Sequence, residues 1–174
     1  ADLLILCRAL ANYADRLAWM ALLRAPWCGM QLADLLRISR FAEASPYTPL
    51  WSSLQSVELH NALTEDGRVR LRHVLPVLQW ANSKRDRLSL RVWIEQAWLA
   101  LGGPQCVHEA AGLLDAENFL QLLELAEVEG VGLDPDWLLR RLQKRYMSAG
   151  DCNSRIHLMT LHKAKGLEFD RVII

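Results

Sequence analysis

Apolar residues recur at helical spacing over most of the chain. The clearest stripe occupies positions i, i+3, i+4, i+7, i+8 and i+11, the pattern of one buried face of an amphipathic helix. It consists of Leu90, Trp93, Ile94, Ala97, Trp98 and Leu101. Ser89 is placed to cap the start of this helix, and Gly102-Gly103-Pro104 is expected to end it.

Two more helices are predicted toward the carboxyl end. The first has an apolar stripe after Asp115, its expected cap, and the stripe consists of Phe119, Leu122, Leu123 and Ala126. The second begins at Asp134-Pro135-Asp136, which supplies a cap, a proline at the first helical position and a carboxylate near the positive helix end. Its apolar stripe consists of Leu138, Leu142 and Tyr146.

The first half of the chain shows the same periodicity. The predicted helices cover residues 3–13, residues 16–25, residues 31–40, a helix that starts at Thr48-Pro49 and continues through Leu50, Leu54 and Val57, and residues 68–84. The first two are divided near residues 12–15. Pro76 lies inside the last one and is expected to kink or divide it, because proline removes a helical hydrogen bond.

The pattern changes at Ser154. Residues 154–161 alternate as in a strand, residues 162–168 form a polar loop, and residues 169–174 begin a second strand. The ending Val172-Ile173-Ile174 is typical of a strand buried on both faces of a parallel sheet, which two strands alone cannot cover. The sequence therefore predicts a mainly α fold: a multi-helix domain followed by a truncated α/β strand–loop–strand segment.

Composition limits the classes of protein to consider. The chain has 174 residues, 20 basic and 20 acidic, with a formal net charge of zero and 52% apolar residues. This length suits one domain of roughly 150 residues, or a domain plus a fragment, and the start at Ala1 favours an excised piece. Zero net charge weakens bulk attraction to DNA or anionic membranes. No apolar run approaches the roughly 20 residues of a membrane span, and no signal peptide is recognisable.

Cysteine spacing indicates neither a disulfide framework nor a metal site. The cysteines are widely spread and form no C-x-x-C pair: Cys7, Cys28, Cys106 and Cys152. We expect free thiols in a reducing cytosol, and hence a cytoplasmic protein. The seven Trp residues fall mainly on the apolar stripes, where core packing is favoured over a stacking surface for bases.

Basic residues form three clusters that could contact phosphate or form the solvated faces of helices. The first basic cluster is Arg68, Arg70 and Arg72; the second is Lys84, Arg85 and Arg87; the third is Arg140, Arg141, Lys144 and Arg145. Without net positive charge, the solvated-face interpretation is favoured. Residues 129–133, with Gly130 and Gly132, are similar to a helix-hairpin-helix loop, but the cap at Asp134 favours a plain interhelical turn.

The polar loop after the first predicted strand has the chemistry of a ligand site. His162 and either Lys163 or Lys165 can donate to phosphate oxygens, Gly166 permits close backbone approach, and Glu168 can accept from a ribose hydroxyl. In open α/β sheets such loops bind ligands. From this chemistry alone, an ordinary polar loop stays an equal alternative.

Residues 158–169, which read LMTLHKAKGLEF, closely resemble motif V of the UvrD/Rep/PcrA superfamily-one DNA helicases. That family has two RecA-like domains, 1A and 2A, with helical insertions 1B and 2B. The 2B insertion immediately precedes motif V, which belongs to 2A. The resemblance implies that residues 1–153 are a 2B-like insertion domain and residues 154–174 are the truncated start of 2A.

Looser similarities indicate a type within this superfamily. Residues 15–18, 21–29 and 98–104 are similar to parts of the 2B insertion in RecB/AddA-type helicase–nucleases. They imply a parent similar to the exodeoxyribonuclease V beta chain, without excluding a plain UvrD-like one. Such a parent functions in DNA repair and recombination and has partner subunits.

The resemblance also implies residue roles. Thr160 and His162 would contact the single-stranded DNA backbone, Gly166 and Glu168 would face the ATP site, and Lys165 would shape the loop. The 2B insertion would handle duplex DNA ahead of the fork. ATP and Mg²⁺ would serve the parent protein, with DNA as its partner and no membrane involved.

Groups needed for ATP hydrolysis are missing from these residues. There is no G-x-x-x-x-G-K-[ST] P-loop and no acidic pair in a D-E-x-x context, and the arginine of motif VI would follow the last residue. Phosphoryl transfer depends on such groups. We therefore expect the fragment alone to have no catalytic residue, no metal site and no bound cofactor. The alternative function is a non-enzymatic helical module that binds another protein.

Overall fold

The computed structural model describes residues 2–44 and 47–148, with side chains through Lys144. These residues are mainly helical, and none of them forms a strand, which confirms the mainly α prediction. The strands predicted after Ser154 lie outside the described residues. The chain divides into two compact units, Ala1–Leu142 and Gln143–Ile174.

The described helices alternate with short turns. In chain order they are α1 (Asp2–Ala11), α2 (Arg16–Arg24), α3 (Leu32–Glu43), α4 (Leu50–Ser53), α5 (Val57–Ala62), α6 (Glu65–Ser83), α7 (Leu90–Ala100), a 3₁₀ turn (Pro104–Cys106), α8 (Ala110–Val128) and α9 (Pro135–Ser148). None of these helices combines the length and apolar character that crossing a bilayer requires.

Several predicted boundaries are confirmed by capping contacts. Asp15 caps α2 by accepting from the Ala18 amide at 2.9 Å, and it pairs with Arg8 at the end of α1. Asp134 caps α9 by accepting from the amides of Asp136 and Trp137. Each carboxylate satisfies amide groups that the first helical turn leaves free.

One predicted helix start is wrong, and one predicted helix is divided in two. Asp115 lies inside α8 rather than at its cap, because the helix-forming residues before it extend the helix back to Ala110. The predicted helix through Leu50, Leu54 and Val57 is two helices. Ser56 accepts from the Leu59 amide and starts α5, so Val57 belongs to a new helix and is largely exposed.

Two other local expectations also differ from the structure. Pro76 does not divide α6, which continues through it. Proline has no amide hydrogen to donate to the carbonyl of Arg72 one turn earlier, and both residues are exposed to solvent. Ser89 precedes α7 as expected, but its side chain makes no capping hydrogen bond.

Gly102 and Gly103 end α7 as predicted. Gly102 has a φ of +78°, and the amide of Gly103 donates to the carbonyl of Trp98, which closes the helix in a Schellman motif. A Cβ on Gly103 would lie 1.8 Å from Trp98 Nε1. The second glycine is therefore needed because the indole packs directly against the backbone.

The core is one continuous apolar cluster in which α7 is central. α7 packs against α1, α6 and α8, while α2 packs against α1, α3 and α4. Trp93 of α7 is buried and its Nε1 donates to the Ala81 carbonyl of α6 at 2.7 Å. This bond joins α6 and α7 into a helical hairpin. It also satisfies the indole N–H, whose burial without a hydrogen-bond acceptor would cost free energy.

Most Trp residues pack in the core, as predicted. The buried ones are Trp19, Trp27, Trp51, Trp93 and Trp98. Trp19 and Trp51 stack with ring centroids 5.2 Å apart, and Tyr13 contacts both rings. Trp80 and Trp137 are half-buried, so among the described Trp residues these two expose the most ring surface to a base.

A buried carboxylate fixes the start of α6. Asp34 of α3 is only 1% exposed, and it accepts from the Thr64 amide at 2.9 Å and from Thr64 Oγ1 at 2.5 Å. Thr64 Oγ1 in turn accepts from the Gly67 amide, and Arg37 pairs with Asp34 at 2.9 Å. A carboxylate 30 residues earlier in the chain therefore orients the cap of α6.

This arrangement also explains why residue 67 is a glycine. A Cβ at that position would lie 2.5 Å from Asp34 Oδ2, closer than carbon and oxygen can pack. Gly67 costs the helix roughly 1 kcal/mol of intrinsic propensity relative to alanine. The absence of a side chain is what allows Asp34 to approach the helix so closely.

We predict that Gly67→Ala destabilises the protein although alanine is the better helix former. The expected loss is about 2 kcal/mol in the free energy of unfolding, as for other overpacked buried sites, measured by urea denaturation. The control is the same substitution in an Asp34→Ala background, where the clash is absent and Gly67→Ala should be neutral or stabilising. Equal effects in both backgrounds would contradict the proposed contact.

Candidate nucleic-acid interface

The residues predicted to contact DNA and nucleotide lie outside the described residues. These are Thr160, His162, Lys165, Gly166 and Glu168, together with Lys163. Their roles stay predictions. The described part of the chain instead shows how the three basic clusters are arranged.

The first basic cluster is paired with carboxylates of its own helix. Glu65 contacts Arg68 at 2.6 Å and Arg72 at 3.4 Å, and Asp66 contacts Arg70 at 2.7 Å. The hydrogen bond from Arg68 is the main reason that the pKa of Glu65 is lowered. These cations are largely balanced locally, which supports the solvated-face interpretation for this cluster.

Arg70 also has a structural role. Its Nη1 donates to the Cys28 carbonyl at 3.0 Å, which joins α6 to the turn after α2. Its hydrogen bond to Asp66 is the main cause of its raised pKa. Gly29 in that turn has a φ of +61°, and a Cβ there would lie 2.8 Å from Arg70 Nη1. Arg70 therefore holds a tight turn and is not available as a phosphate ligand in this structure.

The second basic cluster lies in the turn between α6 and α7. Arg85 donates to the Ala11 carbonyl at 2.8 Å and lies over the Tyr13 ring, 5.1 Å from its centroid. Asp86 adopts a φ of +61° within the turn. Among the described residues, no carboxylate pairs with Lys84 or Arg87, and Arg87 is exposed.

The third basic cluster lies on α9. Arg141 donates to both carboxylate oxygens of Glu129, at 2.8 and 3.0 Å, and stacks over Trp137. Arg140 and Lys144 are exposed and one helical turn apart. After Asp136, α9 contains no further acidic residue. This half of α9 therefore carries only basic charged residues, and Glu129 in the preceding turn pairs with Arg141.

The glycine loop between α8 and α9 closes by local hydrogen bonds. The amides of Gly130 and Val131 donate to the carbonyls of Glu127 and Ala126, which ends α8 in a Schellman motif. Gly130 and Gly132 have φ values of +69° and +71°. These bonds use two of the amides that a helix-hairpin-helix loop would present to phosphate, as the plain-turn interpretation expects.

A strongly acidic surface lies on the neighbouring helix. α8 carries no basic residue, and its acidic residues are Asp115, Glu117, Glu124 and Glu127. Arg91 of α7 pairs with Glu117 at 2.9 Å and Glu124 at 3.3 Å, and the hydrogen bond to Glu117 is the main cause of its raised pKa. Carboxylates have the same sign of charge as DNA phosphates and repel them, so α8 is unsuited to bind a DNA backbone.

The described cysteines are free thiols, as predicted. Burial raises the pKa of Cys7 well above its ordinary value and that of Cys28 to about 11. Both are protonated at neutral pH, so neither supplies a thiolate. Within the described residues, no group of three or more His, Cys, Asp or Glu side chains converges as a metal site would require.

The periodicity did not indicate an apolar groove between α6 and α7. The α6–α7 groove has a volume of about 520 Å³ and is lined by Pro76, Val77, Trp80, Gln96, Leu99 and Ala100. Leu99 is 51% exposed. The sequence did contain one signal of the groove, an apolar residue on the side of α7 opposite its core stripe. This signal is weak, because isolated leucines are common on the surfaces of folded proteins.

Comparison with protein families gives a match to part of the chain. Residues 105–174, less than half of the chain, match the UvrD-like helicase C-terminal domain. The match supports the UvrD-like helicase superfamily, a helicase fragment and interaction with nucleic acid. It covers α8, α9 and the whole motif V-like string at residues 158–169. No curated protein and no solved structure matches the chain.

Proposed function

We propose that the chain is part of an ATP-dependent DNA helicase of the UvrD type. In this proposal, residues 1–153 form a 2B-like domain that handles duplex DNA, and residues 154–174 begin the 2A domain. The observation that supports the proposal most strongly is that the family match at residues 105–174 contains the motif V-like string at residues 158–169. Family model and motif agree on the same stretch of sequence.

The proposed chemistry in the intact protein couples ATP to movement along one DNA strand. Thr160 and His162 contact the single-stranded backbone, Gly166 and Glu168 face the nucleotide, and Lys165 shapes the loop between them. A carboxylate such as Glu168 recognises a ribose hydroxyl as a hydrogen-bond acceptor. ATP and Mg²⁺ serve the intact protein, and residues outside this chain provide phosphate binding and the catalytic groups.

Similarity at residues 15–18, 21–29 and 98–104 supports a RecB/AddA-type parent, with roles in DNA repair and recombination in the cytoplasm. Two of these segments make specific packing contacts. Residues 21–29 contain the turn that Arg70 holds, and residues 98–104 contain the Gly103–Trp98 contact. Partner subunits of a helicase–nuclease are part of this proposal.

The third basic cluster is the best described candidate for duplex contact. Arg140, Arg141 and Lys144 fall at i, i+1 and i+4, which are neighbouring positions on one side of α9, and Arg145 follows Lys144 in the sequence. No acidic residue follows Asp136 in this helix. The arginines of the first basic cluster pair with Glu65 and Asp66 of their own helix.

We predict that replacing the third basic cluster by glutamine weakens binding of forked DNA by this chain. Removing each phosphate contact should reduce the slope of log affinity against log salt by about 0.9, measured by fluorescence anisotropy between low and moderate salt. The matched control is Arg68→Gln with Arg72→Gln, which should change binding little. No binding of forked DNA at low salt would contradict the duplex role and favour the protein-binding alternative.

We predict that Glu168→Ala raises the KM for ATP and that His162→Ala reduces the stimulation of ATPase activity by DNA in the intact protein. Because each substitution removes a proposed hydrogen bond to a ligand, we expect the KM and the DNA stimulation each to change by about tenfold. Glu109→Ala and His108→Ala, at solvent-accessible positions within the same family match, are the controls. Unchanged ATPase kinetics in both motif variants would exclude the assigned roles.

The alternative function is a helical module that binds another protein. The specific observation in its favour is the exposed α6–α7 groove, which no described residue fills. The two functions are compatible, because the groove and the third basic cluster lie on different helices.

A further inference from the structure

The α6–α7 groove has two apolar ridges. Along α7, Val92, Leu99 and Ala100 are exposed and fall at i, i+7 and i+8. Along α6, Val69 and Pro76 are exposed and seven residues apart, in line with the groove wall. Residues at this spacing lie on one helix face, so exposed apolar residues continue beyond the groove on the same face of each helix.

Size and shape favour a docked helix. The groove is open to solvent, and its volume of about 520 Å³ exceeds what a single side chain fills. Its lining includes a proline, a valine, a leucine and an alanine with only Gln96 as a polar member. An amphipathic helix inserts several apolar side chains into such a groove at i, i+3, i+4 and i+7.

Charge at the rim specifies the partner further. Lys84 follows Trp80 by one helical turn, and no described carboxylate pairs with it or with Arg87. At the other end, Arg72 precedes Pro76 by one turn and is paired with Glu65 at 3.4 Å.

Negative charge is almost absent from these two walls. After Asp66, α6 contains no acidic residue, and Glu95 is the sole acidic residue of α7. Glu95 is itself paired with Arg91 at 3.6 Å. In the turn that follows α6, Lys84, Arg85 and Arg87 outnumber Asp86, so this end of the apolar groove carries a net positive charge.

We propose that the α6–α7 groove binds an acidic amphipathic helix of a partner protein. The apolar stripe of the helix would lie against Val77, Trp80 and Leu99, and its flanking carboxylates would pair with Lys84 and Arg87. Charge complementarity of this kind sets orientation and partner choice. The proposal does not depend on helicase activity.

The lining disfavours nucleic acid as the occupant. Single-stranded nucleic acids bind along successive aromatic platforms beside a continuous row of cations. Among the described residues that line the groove, Trp80 is the single aromatic one, and none is a cation. Aliphatic walls are better matched to leucine or phenylalanine side chains.

The test uses two fluorescein-labelled peptides of about 18 residues, or five helical turns. Both carry the same leucine stripe; one has glutamates at the flanking positions and the other has lysines. Binding to the 174-residue chain is measured by fluorescence anisotropy. We expect the glutamate peptide to bind about tenfold more tightly than the lysine peptide, with the difference decreasing as salt is raised.

Three variants locate the site. Leu99→Gln and Lys84→Gln should each weaken binding of the glutamate peptide several-fold, while Leu17→Gln, at a residue that is 73% exposed on α2, should not. Leu99 and Lys84 are at least partly exposed, so circular dichroism should show unchanged helix content. Equal binding of both peptides, or binding that Leu99→Gln leaves unchanged, would overturn the proposal.

Other occupants are distinguished in the same experiment. Binding of an oligothymidine that Leu99→Gln abolishes, without binding of the glutamate peptide, would assign the groove to nucleic acid. A dimer in sedimentation velocity that the same variant dissociates would assign it to a second copy of the chain. Either result would replace the proposed partner.

Discussion

The buried carboxylate of Asp34 determines where α6 begins. Its hydrogen bonds to Thr64 and its ion pair with Arg37 satisfy a charge that burial would make costly. Burial alone would raise the pKa of Asp34, but the hydrogen bonds from Thr64 and the interaction with Arg37 outweigh it, and the net pKa is lowered. The carboxylate is thus charged at neutral pH and linked to a helix distant in sequence.

Two other parts of the molecule depend on the position of α6. Arg70 reaches from it to the turn at Cys28, and the Ala81 carbonyl accepts from Trp93 and so positions α7. The α6–α7 groove and the turn that carries Lys84 are parts of the same hairpin. A local change at Asp34 should therefore affect both the stability of the protein and the surface proposed to bind a partner.

The zero net charge conceals an uneven distribution. α8 is acidic throughout, α9 is basic after Asp136, and α6 is basic after Asp66. Much of the positive charge is neutralised by internal pairs, as at Glu65 and at Arg91. Net charge from composition is thus too coarse a guide, because a phosphate or a carboxylate partner responds to the charge left unpaired on one face.

Local signals predicted much of the fold. The stripe from Leu90 and the cap at Asp134 were predicted correctly because each acts within a few residues of its own helix. The predictions at Asp115 and Val57 were wrong because the residue type alone does not distinguish a helix end from a helix interior. The Asp34–Thr64 link spans 30 residues, and only the folded chain brings it together.

For the site, the motif V-like string supplied residue roles, whereas the groove arises from packing two helices and has no local signature.

The most direct measurement compares the pH dependence of the free energy of unfolding in the native protein and in Asp34→Asn, by urea denaturation from neutral pH down to about pH 3. Because the pKa of Asp34 is lowered on folding, its contribution is present above the unfolded value of about 3.9 and is lost as pH falls through the folded pKa. We expect the native protein to be more stable by about 2 kcal/mol at neutral pH, since the substitution breaks a buried charged network, and the difference to shrink below about pH 4. Parallel curves, or equal stability at neutral pH, would contradict the central role of this carboxylate.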